Sequence, residues 1–517
     1  IIKDLAENRE CDTIPDIITF NTMANMYFRS AHDDSCRKLN DIVQEVEDVN
    51  DSVGLRSFDT FSHSVLINKL SKSQKRDGGE KAFELLTKME EHFSNGNKNC
   101  VRPDTIMYNM VLAKIAKERS YDGGAKAMQI IQQMEKVANE GNSSVTPDTM
   151  TYTSGMNAWV KSGADGTNKK VVELLDKMED LFVDENSAVQ LDTIVFETAL
   201  QGFQRGERED GETAERIFER MVTLHRDGNK RIQPSALSCN LVLKAHCTTA
   251  KRSDRIKSLF DAQTMLLKLV RRYRRRDIDF LPDRIGFNTV ISSWAKVRHS
   301  LALNNSQELY ATMQNLCNKG IKDVAPDHYT NAAILTILSK SRMSNAARKA
   351  QRFFDKLDPD TLDIVTYNCL LSVWAKSNEK KKLKMVRQIL EEMVKRKKVD
   401  LISYNILLNA FCFSHRNDVT NKDTFALALE VYGELAALYT PDDVSFKTMI
   451  RACKTLSATE EECNQNLKEF FENCCRNGLV GEILIQELKA RFPGNKCEKV
   501  LGYSLQDKPT GEWTRNL

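Results

Sequence analysis

Residues 282–296 read PDRIGFNTVISSWAK, and this short stretch decides the fold. Pro282 followed by Asp283 gives a chain break and a helix N-cap. Phe287, Val290, Ile291 and Trp294 then recur at i, i+3, i+4 and i+7, the spacing of one apolar helix face. The same phrase returns along the chain: PDIITFNTMANMYFR from Pro15, PDTIMYNMVLAKIAK from Pro103, PDTMTYTSGMNAWVK from Pro147, PDHYTNAAILTILSK from Pro326 and PDDVSFKTMIRACKT from Pro441. LDTIVFETALQGFQR from Leu191, LDIVTYNCLLSVWAK from Leu362 and VDLISYNILLNAFCF from Val399 lack the proline. PSALSCNLVLKAHCT from Pro234 and the weaker RSFDTFSHSVLINKL from Arg56 bring the copies to eleven.

Between the copies lie further amphipathic stretches, such as EKAFELLTKMEEHF from Glu80, AKAMQIIQQMEKV from Ala125, NKKVVELLDKMEDLF from Asn168 and TAERIFERMVTLH from Thr213. Each predicts a second helix. A single helical pair cannot bury its apolar face alone, so neighbouring pairs must stack. The expected fold is all-α, a right-handed α-solenoid superhelix of about eleven stacked helix-turn-helix repeats. It would run over residues 17–493, with 1–16 the end of a preceding repeat and 494–517 a C-terminal tail.

Composition agrees with this architecture. Of 517 residues, 41% are hydrophobic and 28% charged, enough apolar material for a core. Mean hydropathy is −0.45 and no run of about 18 apolar residues occurs, so no membrane helix is expected. Lys and Arg number 75 against 72 Asp and Glu, a net charge of +3 that permits a polyanion partner without demanding one. Thirteen scattered cysteines, with Cys474 and Cys475 adjacent, read as reduced thiols in an intracellular compartment. The chain opens on Ile1 and reads as a fragment or processed form, so a targeting peptide or further repeats upstream stay open.

Numbering each repeat from the residue after its Asp, position 5 is Asn21, Ser62, Asn109, Thr153, Glu197, Asn240, Asn288, Ala332, Asn368, Asn405 and Lys447. Asn costs up to about 0.7 kcal/mol relative to Ala inside a helix, and a column of six suggests a shared use. Hydrogen bonding to nearby backbone at the helix start is the structural alternative. The residue closing each repeat is Ser57, Asp104, Asp148, Asp192, Ser235, Asp283, Asp327, Asp363, Asp400 or Asp442, and capping alone would select these. Position 13 is Arg29, Lys117, Lys161, Arg205, Lys296, Lys340 or Lys376 in seven copies. A merely solvated face would mix signs; this column does not. Position 2 is apolar in ten copies: Ile18, Ile106, Met150, Ile194, Leu237, Ile285, Tyr329, Val365, Ile402 and Val444. An apolar wedge, a short hydrogen-bonding group and a cation per repeat are what unpaired nucleotides require.

The phrase P-D-x-[VI]-T-[YF]-N-x-[LMV]-[LI], with its basic residue eight positions after the Asn, resembles the pentatricopeptide repeat (PPR) family in its repeat-only P-class form. The tetratricopeptide signature W-x2-L-G-x2-Y is absent. Steps between successive position-5 residues run from 36 (332 to 368) to 48 (240 to 288), longer than the family's unit. The extra residues are expected in loops. The resemblance implies one RNA base per repeat, with the array's N-terminus at the RNA 5′ end. Position 5 and the closing residue would read it (Asn21, Ser57, Ser62, Asp104, Asn109, Asp148, Thr153, Asp192, Asn240, Asp283, Asn288, Asp327, Asp363, Asn368, Asp400, Asn405 and Asp442). Position 2 would sandwich the bases (Ile18, Ile106, Met150, Ile194, Leu237, Ile285, Val365, Ile402 and Val444). Position 13 (Arg29, Lys117, Lys161, Arg205, Lys296, Lys340 and Lys376) would meet phosphates.

By the family's pairing preferences, Asn/Asp reads U, Thr or Ser with Asp reads G, and Asn21/Ser57 leans to C. Glu197/Ser235, Ala332/Asp363 and Lys447 remain unread. The implied target is U-rich single-stranded RNA near 5′-CGUGNUUNUUN-3′. The resemblance further implies a monomeric, non-enzymatic protein of organellar RNA processing, stability, splicing or translation, in mitochondrion or chloroplast, that recruits protein effectors and needs no cofactor or metal. A solenoid scaffold for a protein or peptide is the alternative; a nuclease would need an appended acidic metal cluster, and none is seen.

Arg271–Arg276 (RRYRRR) ends a long second helix expected from Asp254 and reads equally as a phosphate or partner site and as a basic helix end. DGGEKA, DGGAKA and GADGTNKK read as inter-helix turns rather than phosphate loops, since none fits G-x4-G-K-[ST]. Trp159, Trp294 and Trp374 share position 11 with Tyr27, Phe203 and Phe411 and read as a packing column. The eight His show no metal spacing.

Overall fold

A computed structural model describes residues 67–68, 70–71, 78–94, 103–140, 144–183, 188–204, 210–248, 252–359, 362–412, 421–457, 459–492 and 500–501. Asn21, Ser57, Ser62, Ile18, Arg29 and Arg205 lie outside the described residues, as do residues 1–16 and nearly all of 494–517. The chain is an all-α solenoid whose helices fall into two units, residues 1–282 and 283–517.

The first unit holds α1 (Gly78–Ser94), α2 (Thr105–Glu118), α3 (Gly123–Asn139), α4 (Thr149–Ser162), α5 (Thr167–Val183), α6 (Thr193–Gln201), α7 (Asp210–Arg226), α8 (Ala236–Cys247) and α9 (Arg252–Arg274). Here α2, α4, α6 and α8 are the first helices of successive repeats, and each packs on the next. Each also packs on the second helix before it and, in α2, α4, α6 and α8 alike, on the one after it.

The second unit repeats the plan. It comprises α10 (Arg284–Lys296), α11 (Ala302–Asn318), α12 (His328–Lys340), α13 (Ala346–Phe354), α14 (Ile364–Ala375), α15 (Lys382–Lys395), α16 (Leu401–Cys412), α17 (Asn421–Leu438), α18 (Asp443–Leu456), α19 (Glu460–Arg476) and α20 (Glu482–Arg491). The first-helix layer runs α10, α12, α14, α16, α18, and α20 then packs on α18. That last helix belongs to no copy of the repeat phrase. It is fastened by Glu487, which binds Arg451 of α18 at 2.8 Å.

The repeat phrase explains why each first helix starts where it does. Asp104, Asp148, Asp192, Ser235, Asp283, Asp327, Asp363 and Asp442 have extended backbones and accept from amides two or three residues on. Asp400 does the same for Ser403 at 2.8 Å. Position 4 then points into the core: Tyr108, Tyr152, Phe196, Phe287, Tyr367, Tyr404 and Phe446 are all fully buried. A side chain of that size contributes roughly 1.5–3 kcal/mol on burial. Tyr152 and Tyr367 keep their hydroxyls satisfied by donating at 3.0 Å to Glu135 and Glu392 of neighbouring second helices.

The uneven repeat length goes into the second helices, not into loops as the sequence suggested. The step of 48 contains α9, with 23 residues, and the step of 36 contains α13, with 9. The difference of 14 residues (23 − 9) accounts for the difference of 12 between the steps. In α9 the apolar series Leu259, Ala262, Leu266, Leu269 and Val270 keeps helical spacing and stays buried, so continuing the helix buries more surface than leaving it.

The glycines of the DGG and DGE turns have a packing role. A Cβ on Gly124 would lie 2.4 Å from the Trp159 ring, and one on Gly211 2.2 Å from the His246 ring. Trp159 and His246 occupy position 11 of the following repeat, so the bare backbone at the start of α3 or α7 is the seat of that side chain. Trp294 and Trp374 of the same column are buried. Among the described residues, the cysteines are free thiols, and no helix is long and apolar enough to cross a membrane.

Candidate nucleic-acid interface

Positions 2, 5, 9 and 13 lie three or four apart, so they share one face of each first helix. On that face position 2 is solvent-facing although apolar. Ile106, Met150, Ile194, Leu237, Ile285, Tyr329, Val365, Ile402 and Val444 are between 47% and 68% exposed. One exposed Leu needs no explanation, but the same exposure at the same register in nine helices is a surface kept open.

One turn on, position 5 meets the residue that closes the repeat. Asn109 donates to Asp148 at 3.1 Å, Asn288 to Asp327 at 3.1 Å, Asn368 to Asp400 at 3.1 Å and Asn405 to Asp442 at 3.0 Å. A third side chain, at position 3 of the following repeat, closes the group. Thr151, Thr330, Ser403 and Ser445 donate to the amide oxygens of Asn109, Asn288, Asn368 and Asn405 at 2.6–2.8 Å. The same hydroxyls reach the closing Asp at 2.7–3.0 Å. The amides therefore bond to side chains of the next repeat, not to nearby backbone.

The position-3 hydroxyls were missed in the sequence. Their signal was present as the T of P-D-x-[VI]-T-[YF]-N, but in the first turn of a helix a hydroxyl reads as a capping accessory.

The other repeats differ. Glu197, unread from sequence, takes the Asn role: Ser235 and Ser238 donate to its carboxylate at 3.0 and 2.9 Å. Thr153 instead donates to the Thr149 carbonyl of its own helix at 2.6 Å, so the Thr153/Asp192 pair is not joined in this way. Asp363 faces Ala332, which has no polar group, and is occupied by the amide and hydroxyl of Thr366 at 2.8 and 2.6 Å. Lys447 turns to Asp443 of its own first turn at 2.5 Å.

The Asn109, Asn288 and Asn405 pairs keep unspent capacity: Nδ2 carries two protons and gives one to Asp Oδ1, with Asp Oδ2 beside it. Asn368 Nδ2, by contrast, lies within reach of both oxygens of Asp400, at 3.1 and 3.3 Å. Burial works against the charge of Asp327. The Thr330 backbone and hydroxyl, the Asn288 amide and the nearby Arg284 guanidinium outweigh it and hold the carboxyl below its usual range. Arg284 Nη1 lies 3.8 Å from Asp327 Oδ2. An ionised Asp is a firm acceptor for a donor on a base edge.

Position 13 stands two turns further along the same face. Lys117, Lys161, Lys296, Lys340 and Lys376 are exposed. Lys376 donates to Ser339 of the preceding first helix at 3.0 Å, and Lys340 to the Ala295 carbonyl. The arginine run ends α9 away from this face. Arg272 is bound to Glu219 of α7, while Arg271, Arg274, Arg275 and Arg276 are exposed. Among the described residues, no three His, Cys, Asp or Glu side chains are placed to hold a metal ion.

Stacked helical hairpins that repeat an exposed apolar side chain, and in several copies a polar pair and a cation, on one face define a helical-repeat protein. The family model for the PPR repeat family matches residues 362–413, which span α14, α15 and α16. Over that stretch the chain is similar to the pentatricopeptide-repeat family. The Arabidopsis thaliana small ribosomal subunit protein mL103 (rPPR7) is 28% identical over 181 residues, 34% of this chain and 37% of that protein. The match thus spans little more than a third of the relative's length. Two solved structures also align. The crystal structure of the pentatricopeptide repeat protein PPR10 from maize is 17% identical, with a TM-score of 0.30, covering 97% of this chain and 75% of that one. Yeast Rmd9p in complex with 16nt target RNA is 13% identical, with a TM-score of 0.37, covering 96% and 95%.

Proposed function

We propose that the protein binds single-stranded RNA along its first helices, one base per repeat, and acts by occupying that RNA in organellar RNA processing, stability, splicing or translation. The observation that carries this reading is the register. Position 2 is apolar and exposed in nine first helices, and on the same face four of them carry the Asn–Asp pair and five a position-13 cation. The unspent amide proton and the second Asp oxygen offer one donor beside one acceptor. A uracil edge, with its carbonyl oxygens and N3–H, is the complement of that pair. Asn109, Asn288, Asn368 and Asn405 therefore favour U, and the target is U-rich.

Mitochondrion or chloroplast is the setting the family suggests, and a ribosomal subunit protein among its relatives is in keeping with an RNA partner. Stacking supplies roughly 1–3 kcal/mol per base, so half the repeats suffice for nanomolar binding after ordering costs. About seven phosphate contacts give a log–log salt slope near −5; a peptide-binding scaffold would show little salt dependence.

Selection of bound RNA from a random pool tests the reading. Asn288→Ala relaxes one base preference, and Lys296→Ala weakens all sequences alike. A pool showing no U enrichment at the Asn/Asp repeats removes the base assignment. Absence of any RNA enrichment removes the function.

A further inference from the structure

The repeat opened by Asp327 departs from its neighbours at both ends of α12. At the start, Ala332 gives a base edge nothing to bond. Position 2 is Tyr329, 67% exposed, whose ring lies 4.1 Å from that of His328. Tyr329 can stack any base, since every base has a π-face.

At the other end, the segments following α10 and α12, together with Lys376 beyond α14, enclose a cleft of about 750 Å3. Its charged and titratable lining is Arg298, His299, Lys340, Arg342 and Lys376, with no carboxylate. In the adjoining cleft of about 560 Å3, Glu379 is held by Arg348 at 2.7 Å. Elsewhere cations of this protein are matched: Arg220 with Asp176, and Arg387 with Glu430 and Glu434. Arg298 and Arg342 are exposed and make no ion pair among the described residues. Burial, then Lys376 and Arg298, push the Lys340 ammonium below its usual pKa. Crowded like charges are unfavourable in the free protein and are relieved by a bound anion.

We propose that this cleft between α10, α12 and α14 is a phosphodiester-binding site, at which the repeat opened by Asp327 holds the RNA backbone without reading a base. The inference rests on the proposed RNA reading of the first-helix face. It adds two residues outside position 13, Arg298 and Arg342, whose planar forks suit phosphate oxygens. An RNA backbone fits better than an acidic peptide because the cleft continues the column of Lys296, Lys340 and Lys376.

The test is the double variant Arg298→Gln/Arg342→Gln in the full chain, with both substitutions on exposed side chains. Affinity for the selected RNA should fall about tenfold, and the log–log salt slope should become shallower by about 1.4 for two lost contacts. Base preferences should stay unchanged and flat at the nucleotide between the Asn288 and Asn368 readings. In parallel, inorganic tripolyphosphate should raise the melting temperature of the parent protein and not of the variant.

An unchanged slope and affinity in the variant, with RNA binding intact, overturns the cleft and leaves the RNA reading standing. So does a sharp base preference at the Ala332 repeat. A parent protein that responds to tripolyphosphate but binds no RNA refutes the RNA reading and with it the phosphodiester assignment. Displacement of RNA by polyglutamate as readily as by tripolyphosphate assigns the cleft to an acidic peptide instead.

Discussion

Asn288 and Asp327 stand 39 residues apart in the chain and 3.1 Å apart in space, joined across a repeat boundary. The Thr330 hydroxyl completes the contact, its one proton within reach of both Asn288 Oδ1 at 2.6 Å and Asp327 Oδ1 at 2.9 Å. This three-residue clamp is partly buried, so its hydrogen bonds are worth about 1 kcal/mol each net of water.

Asn288→Ala should therefore lower unfolding stability by about 1–2 kcal/mol, measured by chemical denaturation at neutral pH. Asn288→Asp should cost more, because it sets a second carboxylate against Asp327. The new pair's raised pKa makes that excess present at neutral pH, and it fades as pH falls through the carboxylate range. No loss for Asn288→Ala would show that the clamp bears no energy, and equal losses for the two variants that the second carboxylate is not held against Asp327.

Gly124→Ala should destabilise the first unit by roughly 1–3 kcal/mol, since its Cβ would fall 2.4 Å from the Trp159 ring. Trp159→Leu in the same chain should recover part of the loss, a coupling that thermal melts of the two single variants and the double variant can read. Additive losses would mean that the glycine serves the turn and not the ring.

Acid should release α20 before the rest of the second unit. Hydrogen bonding from Arg451, helped by Arg491, overcomes burial and brings the Glu487 carboxyl from 4.5 down to about 2. A depressed carboxylate stabilises fully above its unfolded value and loses that contribution as pH falls from about 4.5 towards 2. Hydrogen exchange in α20 should accelerate across this window, and Glu487→Gln should show the faster exchange already at neutral pH. No difference between the variant and its parent at neutral pH would remove the bridge as the fastening.

The columns were legible from sequence because they repeat. Asp283 and Asn288 mean little alone, but their counterparts Asp104/Asn109 and Asp363/Asn368 fix a register that only stacked helices explain. The partners of those columns were less legible. Thr330 and Ser445 sit where a capping hydroxyl is ordinary, and nothing local says that the hydroxyl also reaches back to the preceding repeat. Gly124 and Gly211 read as turn formers because the aromatic or imidazole ring that needs the space arrives from more than thirty residues downstream. The long helix ending at the arginine run was legible from its apolar spacing. That the uneven repeat length goes into such helices and not into loops was not, because only packing shows how far the spacing stays buried.

The clamp that joins Asn288 to Asp327 is the same set of atoms to which base discrimination is assigned. Substituting one letter of the readout thus also replaces a fastener between consecutive hairpins. Recoding such an array changes its mechanical compliance along with its vocabulary, and the two cannot be tuned independently.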